Sequence, residues 1–230
     1  LVGASSVQYY LSIALEEALE STYTDIEVVR LGKLGTGLVR DDVFDWPAKV
    51  DELLAKHQPD VVITQFGGND AQPLRVDGTR YAYGKDEWTA EYQRRLADLA
   101  ARIQAAGALP VYLGMPIMKE PGFAGRVERL NAITKEAIEG AGGRFVPTWD
   151  LSTDEQGNYL SAATHDGRTL RMRLADGVHF TKHGAAYLTD HLLPRLEREF
   201  PLVRADSEHA VVVQLRIESE ARGKTVPAAA

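Results

Sequence analysis

Four short stretches of the sequence bring together side chains that can attack, move a proton and stabilise negative charge. Gly3-Ala4-Ser5-Ser6 offers a serine hydroxyl. With a strand ending at Gly3 and a helix starting near Ser5, that hydroxyl stands at a helix N-terminus, where the local potential favours developing negative charge. A plain N-cap is the alternative. Asp176-Gly177-Val178-His179 sets a carboxylate and an imidazole three residues apart, close enough to share one turn. The carboxylate can then accept from one ring nitrogen and fix the tautomer, leaving the other nitrogen to take a proton from a hydroxyl. Gly35-Thr36-Gly37 lets a backbone N–H approach a ligand, although an ordinary loop would also use those glycines. Gly67-Gly68-Asn69-Asp70 adds an amide that can donate into a cleft, with a simple Asn-Asp turn as the alternative. His179 and His183 stand four apart, but zinc needs a third ligand in suitable geometry and the sequence has no His-Glu-x-x-His run. Neither a metal nor another cofactor is expected.

The elements that would position these groups follow from hydrophobic patterning. Leu1-Val2 reads as the tail of a first strand, and residues 7–20 as a helix with Tyr10, Ile13, Ala14 and Leu15 at near-helical spacing. Residues 26–31 read as a strand, and Pro47 opens a helix to about His57. The nearly continuous apolar run at 60–66 suits a buried parallel strand. Residues 71–85 read as a long loop, 86–106 as an amphipathic helix ended by Gly107, and 109–113 as the next strand. A helix at 125–139, a strand at 144–146, a polar excursion at 150–175 and a helix at 183–199 complete the pattern. Strands alternating with helices predict βαβ units, a central parallel sheet of about five strands and a three-layer α/β/α fold. In open sheets of this kind, sites lie at the carboxyl ends of the strands, where all four stretches fall. The main domain is expected over 1–200. The extension 201–230 holds an apolar run at 210–217 that could add an edge strand, and a linker-like tail at 225–230.

The 230 residues, 44% hydrophobic and 26% charged, suffice for one globular domain. A formal net charge of −7 disfavours nonspecific attraction to nucleic acid, which is not expected as a partner. Without cysteine, disulfides, thiolate metal sites and cysteine nucleophiles drop out. No apolar run approaches the roughly 20 residues that span a bilayer. The chain opens on Leu1-Val2-Gly3 without methionine, which reads as a trimmed strand. A targeting or membrane segment before Leu1 stays open as an expectation, and with it an envelope- or membrane-linked partner.

The order of the four stretches is more specific than any one of them, and in that order the sequence resembles the SGNH/GDSL hydrolase superfamily from Leu1 to about Leu193. Its serine block falls on Gly3-Ala4-Ser5, its glycine on Gly37 (with Gly35 the fallback), its Gly-x-Asn-Asp on Gly67 to Asp70 and its Asp-x-x-His on Asp176 to His179. Residues 44–47, 69–75, 87–88 and 176–181 are similar to a bacterial, envelope-associated branch related to polysaccharide O-acetyl esterases and acetyltransferases. The resemblance implies a flavodoxin-like fold, with Ser5 as nucleophile, His179 as base and Asp176 as its support. The Ser5 and Gly37 N–H groups and the Asn69 side chain are then the oxyanion hole. It implies hydrolysis of O-acyl groups, O-acetyl foremost, on a cell-envelope carbohydrate or a related small ester, in an extracytoplasmic setting. The alternatives are transfer to a sugar hydroxyl and noncatalytic carbohydrate binding. The last is favoured by Ala4, which stands where the family's serine block usually has aspartate.

Other residues carry a functional and a plainly structural reading. Gln72, Arg75 and Arg173 are candidates for substrate binding, and Arg80 and Arg171 belong with the two arginines as contacts to an anionic sugar. Solvated loop charges are the alternative. Trp46, Trp88, Tyr81 and Tyr83 could form a sugar-stacking wall or pack in the core. His57, His165, His191 and His209 read as surface or structural residues.

Overall fold

Alternation along single strands sets the layers. In the segment Val61–Leu113 two strands run through the centre, and their successive side chains enter opposite cores. Val62 and Tyr112 pack with Leu96, Leu99, Ile103 and Ile133 on one face, whereas Ile63, Val111 and Leu113 pack with Leu15, Leu19, Leu192 and Leu196 on the other. The computed structural model describes residues 1–165 and 167–202. The edge strand expected at 210–217, the tail at 225–230 and His209 lie outside the described residues.

In chain order the elements are β1 (Val2–Gly3), α1 (Ser5–Gln8), α2 (Tyr10–Thr22), β2 (Leu31–Gly32), α3 (Trp46–His57) and β3 (Val61–Gln65). A hairpin of β4 (Leu74–Val76) and β5 (Thr79–Tyr81) follows, then α4 (Asp86–Ala105), β6 (Leu109–Leu113), α5 (Pro121–Gly140) and β7 (Arg144–Val146). A short 3-10 turn at Asp150–Ser152, a second hairpin of β8 (Ala162–His165) and β9 (Arg168–Arg171), and α6 (Lys182–Glu199) close the described chain. The main sheet is parallel throughout, in the order β2-β1-β3-β6-β7. Helices α3, α4 and α5 cover one face, and α2 and α6 the other. The three-layer expectation therefore holds, and the strand order reverses between β1 and β3, where an open sheet leaves its binding crevice.

Local chemistry fixes the helix ends. Asp45 caps α3 by accepting from the Ala48 N–H at 3.0 Å, and Pro47 occupies its first turn. Thr181 caps α6 by accepting from the Gly184 N–H at 3.0 Å. Glu120 accepts from the Gly122 and Phe123 N–H groups, so α5 begins at Pro121, four residues earlier than periodicity alone suggests.

Four further expectations change. The helix read over 7–20 is broken at Tyr9, whose backbone is extended between α1 and α2. Of the strand read over 26–31, the ladder pairs with β1 involve Leu31, opposite Val2, and the adjoining Gly32, opposite Gly3. The loop read over 71–85 contains the β4–β5 hairpin, turned by Asp77 and Gly78 at φ 47° and 80°. That pair matches the positive-φ turn that hairpins favour. The polar excursion at 150–175 contains the β8–β9 hairpin.

Candidate active site

Ser5 leaves the carboxyl end of β1 as the first residue of α1. Gly3 lets β1 lie close to β3, since a Cβ there would fall 2.2 Å from the Gln65 carbonyl oxygen. Ala4 is buried; its N–H donates to the Gln65 carbonyl at 3.1 Å, and it precedes α1 without a side-chain cap. His179 and Asp176 arrive on the turn before α6. The His179 Nε2 lies 2.8 Å from Ser5 Oγ, and its Nδ1 lies 2.8 Å from Asp176 Oδ2. An ionised Asp176 can only accept, so Nδ1 carries the hydrogen and Nε2 is left to accept the serine proton.

The Asp176 carboxylate is held ionised. Burial pushes its pKa up, but hydrogen bonds from the His179 side chain and from the Val178 and His179 N–H groups outweigh burial and hold it below the usual carboxylate range. The turn itself is pinned from several sides. The Leu174 N–H donates to the His179 carbonyl at 2.8 Å, and the Lys119 N–H donates to the Gly177 carbonyl at 3.2 Å. Gly177 adopts φ +70°, and a Cβ there would meet Lys119 Cβ at 2.4 Å.

Arg173, read from sequence as a contact to substrate, is placed elsewhere. It is 2% exposed and lies beneath the turn. Its Nη1 donates to the Val178 carbonyl at 2.6 Å and its Nη2 to the Ile117 carbonyl at 3.0 Å, while the guanidinium stacks 3.8 Å from the Phe180 ring centre. Desolvation pulls its pKa down to about 10, so the cation persists at neutral pH. Arg173 thus ties the turn of Asp176 and His179 to the segment after β6. It was missed in that role because a lone arginine carries no pattern that announces burial.

The remaining loops meet at the carboxyl ends of β2 and β3. The Asn69 side-chain N–H donates to the Thr36 carbonyl at 2.9 Å, which brings the glycine loop and the Gly-x-Asn-Asp turn together. Asp70 completes the joint. It is fully buried and accepts from the Val39 N–H and the Tyr92 hydroxyl, each at 3.0 Å. Burial pushes its pKa up to about 6 against the opposing hydrogen bonds. A Cβ on Gly37 would fall 2.1 Å from Asp70 Oδ1, so glycine is required there. Gly35, the fallback, has φ +69° and open space around it. Thr36 is buried, and its hydroxyl accepts from Trp46 Nε1 at 3.1 Å. The signal that could have singled out Asp70 and Tyr92 is weak, because a buried carboxylate and its phenol partner lie 22 positions apart on different elements.

The cleft above Ser5 is lined by Ala4, Tyr9, Tyr10, Phe66, Met115 and His179, among others. Gln72 does not line it. The Gln72 side chain donates to the Asn69 carbonyl, and its own carbonyl accepts from Trp88 Nε1 at 2.8 Å, so it braces the turn from behind. Arg75 sits exposed on β4, directly across from Arg80, with its guanidinium near the Gly78 carbonyl at 3.3 Å. Arg171 ends the second hairpin. Neither Arg75, Arg80, Arg171 nor Arg173 lines the cleft. Trp46 and Trp88 are wholly buried, and Tyr81 and Tyr83 pack against the same core; of the two readings, wall or core, the structure shows core packing. Among the described residues no cluster of three His, Cys, Asp or Glu is placed to hold a metal ion.

A five-stranded parallel sheet with this strand order, carrying Ser5, His179 and Asp176 at its carboxyl edge, has the fold of the SGNH/GDSL hydrolases. The chain belongs to the family described as protein of unknown function DUF459, whose model matches residues 1–195. Among solved structures, TesA aligns with a TM-score of 0.58 at 20% identity, over 86% of this chain and 98% of TesA. A catalytic mutant of Axe2, an acetylxylan esterase from Geobacillus stearothermophilus, aligns at 0.60 and 17% identity, over 86% and 91% of the two chains. The native M. smegmatis aryl esterase aligns at 0.55 and 16%, over 81% and 84%. At these identities the likeness is one of fold. No curated protein matches the sequence.

Proposed function

We propose that the protein is a serine ester hydrolase that removes O-acyl groups, O-acetyl foremost, from a carbohydrate. The observation that carries this reading is the unbroken chain Asp176–His179–Ser5, with both contacts at 2.8 Å. In the proposed reaction the Ser5 hydroxyl gives its proton to His179 Nε2 as its oxygen bonds to the ester carbonyl carbon. The imidazolium is stabilised by Asp176. The tetrahedral intermediate's oxyanion is met by the Ser5 and Gly37 N–H groups and the second amide hydrogen of Asn69. Collapse breaks the bond to the leaving alcohol, which takes the proton from His179. Water, deprotonated by the same nitrogen, then releases the acid from the acyl-enzyme.

Solved structures of the same fold include esterases described as acting on acetylated xylan and on aryl esters, which supports ester hydrolysis as the chemistry. The envelope carbohydrate rests on the sequence resemblance. A purely binding role, favoured by Ala4, gains no support from a cleft in which base and nucleophile are already hydrogen-bonded. The test is release of 4-nitrophenol from 4-nitrophenyl acetate by the purified protein beside Ser5→Ala. The proposal requires turnover that collapses by at least about 10³-fold in the variant. Equal, slow release from both proteins would overturn it.

A further inference from the structure

The helix that carries Ser5 is interrupted four residues on, and the interruption is built into the packing. Tyr9 is extended, at φ −93° and ψ −157°, between α1 and α2. Such a break strips carbonyls of their helical partners. Here the hydroxyl of Ser12, which is buried, donates to the Val7 carbonyl and lies 3.4 Å from the Tyr9 carbonyl. Serine thus replaces what the helix has lost.

The consequence falls on the two tyrosines. Tyr9 is 38% exposed and Tyr10 41%, although large aromatic side chains are usually much more buried. Both line the cleft that holds Ser5 and His179. The Tyr9 ring meets the His179 ring edge-on, with centroids 4.8 Å apart and planes at 63°. Leu11 and Leu15 of α2 face the core, so the helix buries its apolar stripe while leaving Tyr10 outside it. Among the described residues, none of those that line this cleft is Asp, Glu, Lys or Arg. A neutral cleft with two exposed aromatic rings beside the nucleophile suits a neutral ring whose C–H face packs on the aromatic face. A charged sugar would find no counter-ion there.

We propose that Tyr9 and Tyr10 form the wall against which the ring of the leaving alcohol packs, which makes esters of neutral sugars the preferred substrates. Tyr10 determines specificity. Tyr9 does so too, and through its edge contact it also positions His179. The inference rests on the serine-esterase reading and goes beyond it by naming the residues that select the alcohol and the charge that alcohol must lack.

The experiment compares kcat and KM of the wild-type chain, Tyr10→Ala, Tyr10→Phe and Tyr9→Ala on acetylated xylooligosaccharides, 4-nitrophenyl acetate and ethyl acetate. For Tyr10→Ala, KM for the acetylated sugar should rise about ten-fold more than KM for ethyl acetate, with kcat on the sugar ester little changed, and Tyr10→Phe should restore it. Tyr9→Ala should lower kcat on all three esters as well. Three results would each overturn the proposal: an unaltered sugar KM in Tyr10→Ala, an equal rise for all three esters, or a rise confined to 4-nitrophenyl acetate. Absence of turnover by the wild-type protein would count against the esterase reading alone. Fluorescence titration with xylooligosaccharides then decides the wall: binding about ten-fold weaker in Tyr10→Ala upholds it, and equal binding refutes it.

Discussion

Arg173 donates to the carbonyl of Val178 at 2.6 Å, one residue before His179, whose Nε2 lies 2.8 Å from Ser5 Oγ. With its second bond to Ile117, this buried guanidinium links the turn of Asp176 and His179 to the segment after β6. Arg173→Met leaves two carbonyls without donors. It should cost about 2–4 kcal/mol of stability and lower kcat more than it raises KM. Arg173→Lys should not rescue it, since an ammonium cannot reproduce the planar two-pronged contact. Urea unfolding and steady-state kinetics check both halves.

The contact between Gly37 and Asp70 separates the two glycines of the loop after β2. Gly37→Ala forces a Cβ to within 2.1 Å of Asp70 Oδ1, so the loop or the carboxylate must move. Turnover should fall by about 10²–10³, the usual effect of losing one oxyanion donor. Gly35→Ala meets open space but a φ of +69°, and should cost about 1 kcal/mol of stability while kcat stays within a few-fold. The reverse pattern would move the oxyanion role to Gly35.

Asp70 makes stability depend on pH in a direction opposite to that of a salt-bridged carboxylate. Its folded-state pKa is pushed up to about 6, above the ordinary 3.8. Between those values the unfolded chain releases this proton and the folded chain keeps it, so its contribution to stability falls as pH rises. The loss is absent below about pH 3.8 and complete above about pH 6. Asp70→Asn lacks the ionisation. Relative to wild type, it should gain about 3 kcal/mol on going from pH 3.5 to pH 7.5. Urea unfolding at the two pH values measures this, and a gap independent of pH contradicts it.

The parts of the site that announced themselves in sequence did so through order. Ser5, Asn69, Asp176 and His179 each had an ordinary local explanation, but their succession along alternating strands and helices did not. The sheet followed from that alternation, and the order carried the resemblance that implied roles for Ser5, Asp176 and His179. Tyr10 was misread because a helical period assumes an unbroken helix, and the break at Tyr9 depends on the Ser12 hydroxyl meeting carbonyls that only the fold frees. Trp46 and Trp88 were open to two readings because tryptophan serves equally in cores and at sugar-binding surfaces; the Thr36 hydroxyl and the Gln72 carbonyl that satisfy their ring N–H groups are long-range partners. The Asp77-Gly78 turn between Val76 and Thr79 is a hairpin signal that the reading of 71–85 as a loop passed over.

The most direct test of the account is covalent labelling of the nucleophile. The purified chain is treated with a phosphonate ester that reacts with activated serines, and the site is found by peptide mass spectrometry. The account predicts one label per chain, carried on Ser5, lost in Ser5→Ala and slowed by at least about 10³-fold in His179→Ala. A label on another residue, or labelling of Ser5 that is indifferent to His179, would contradict it.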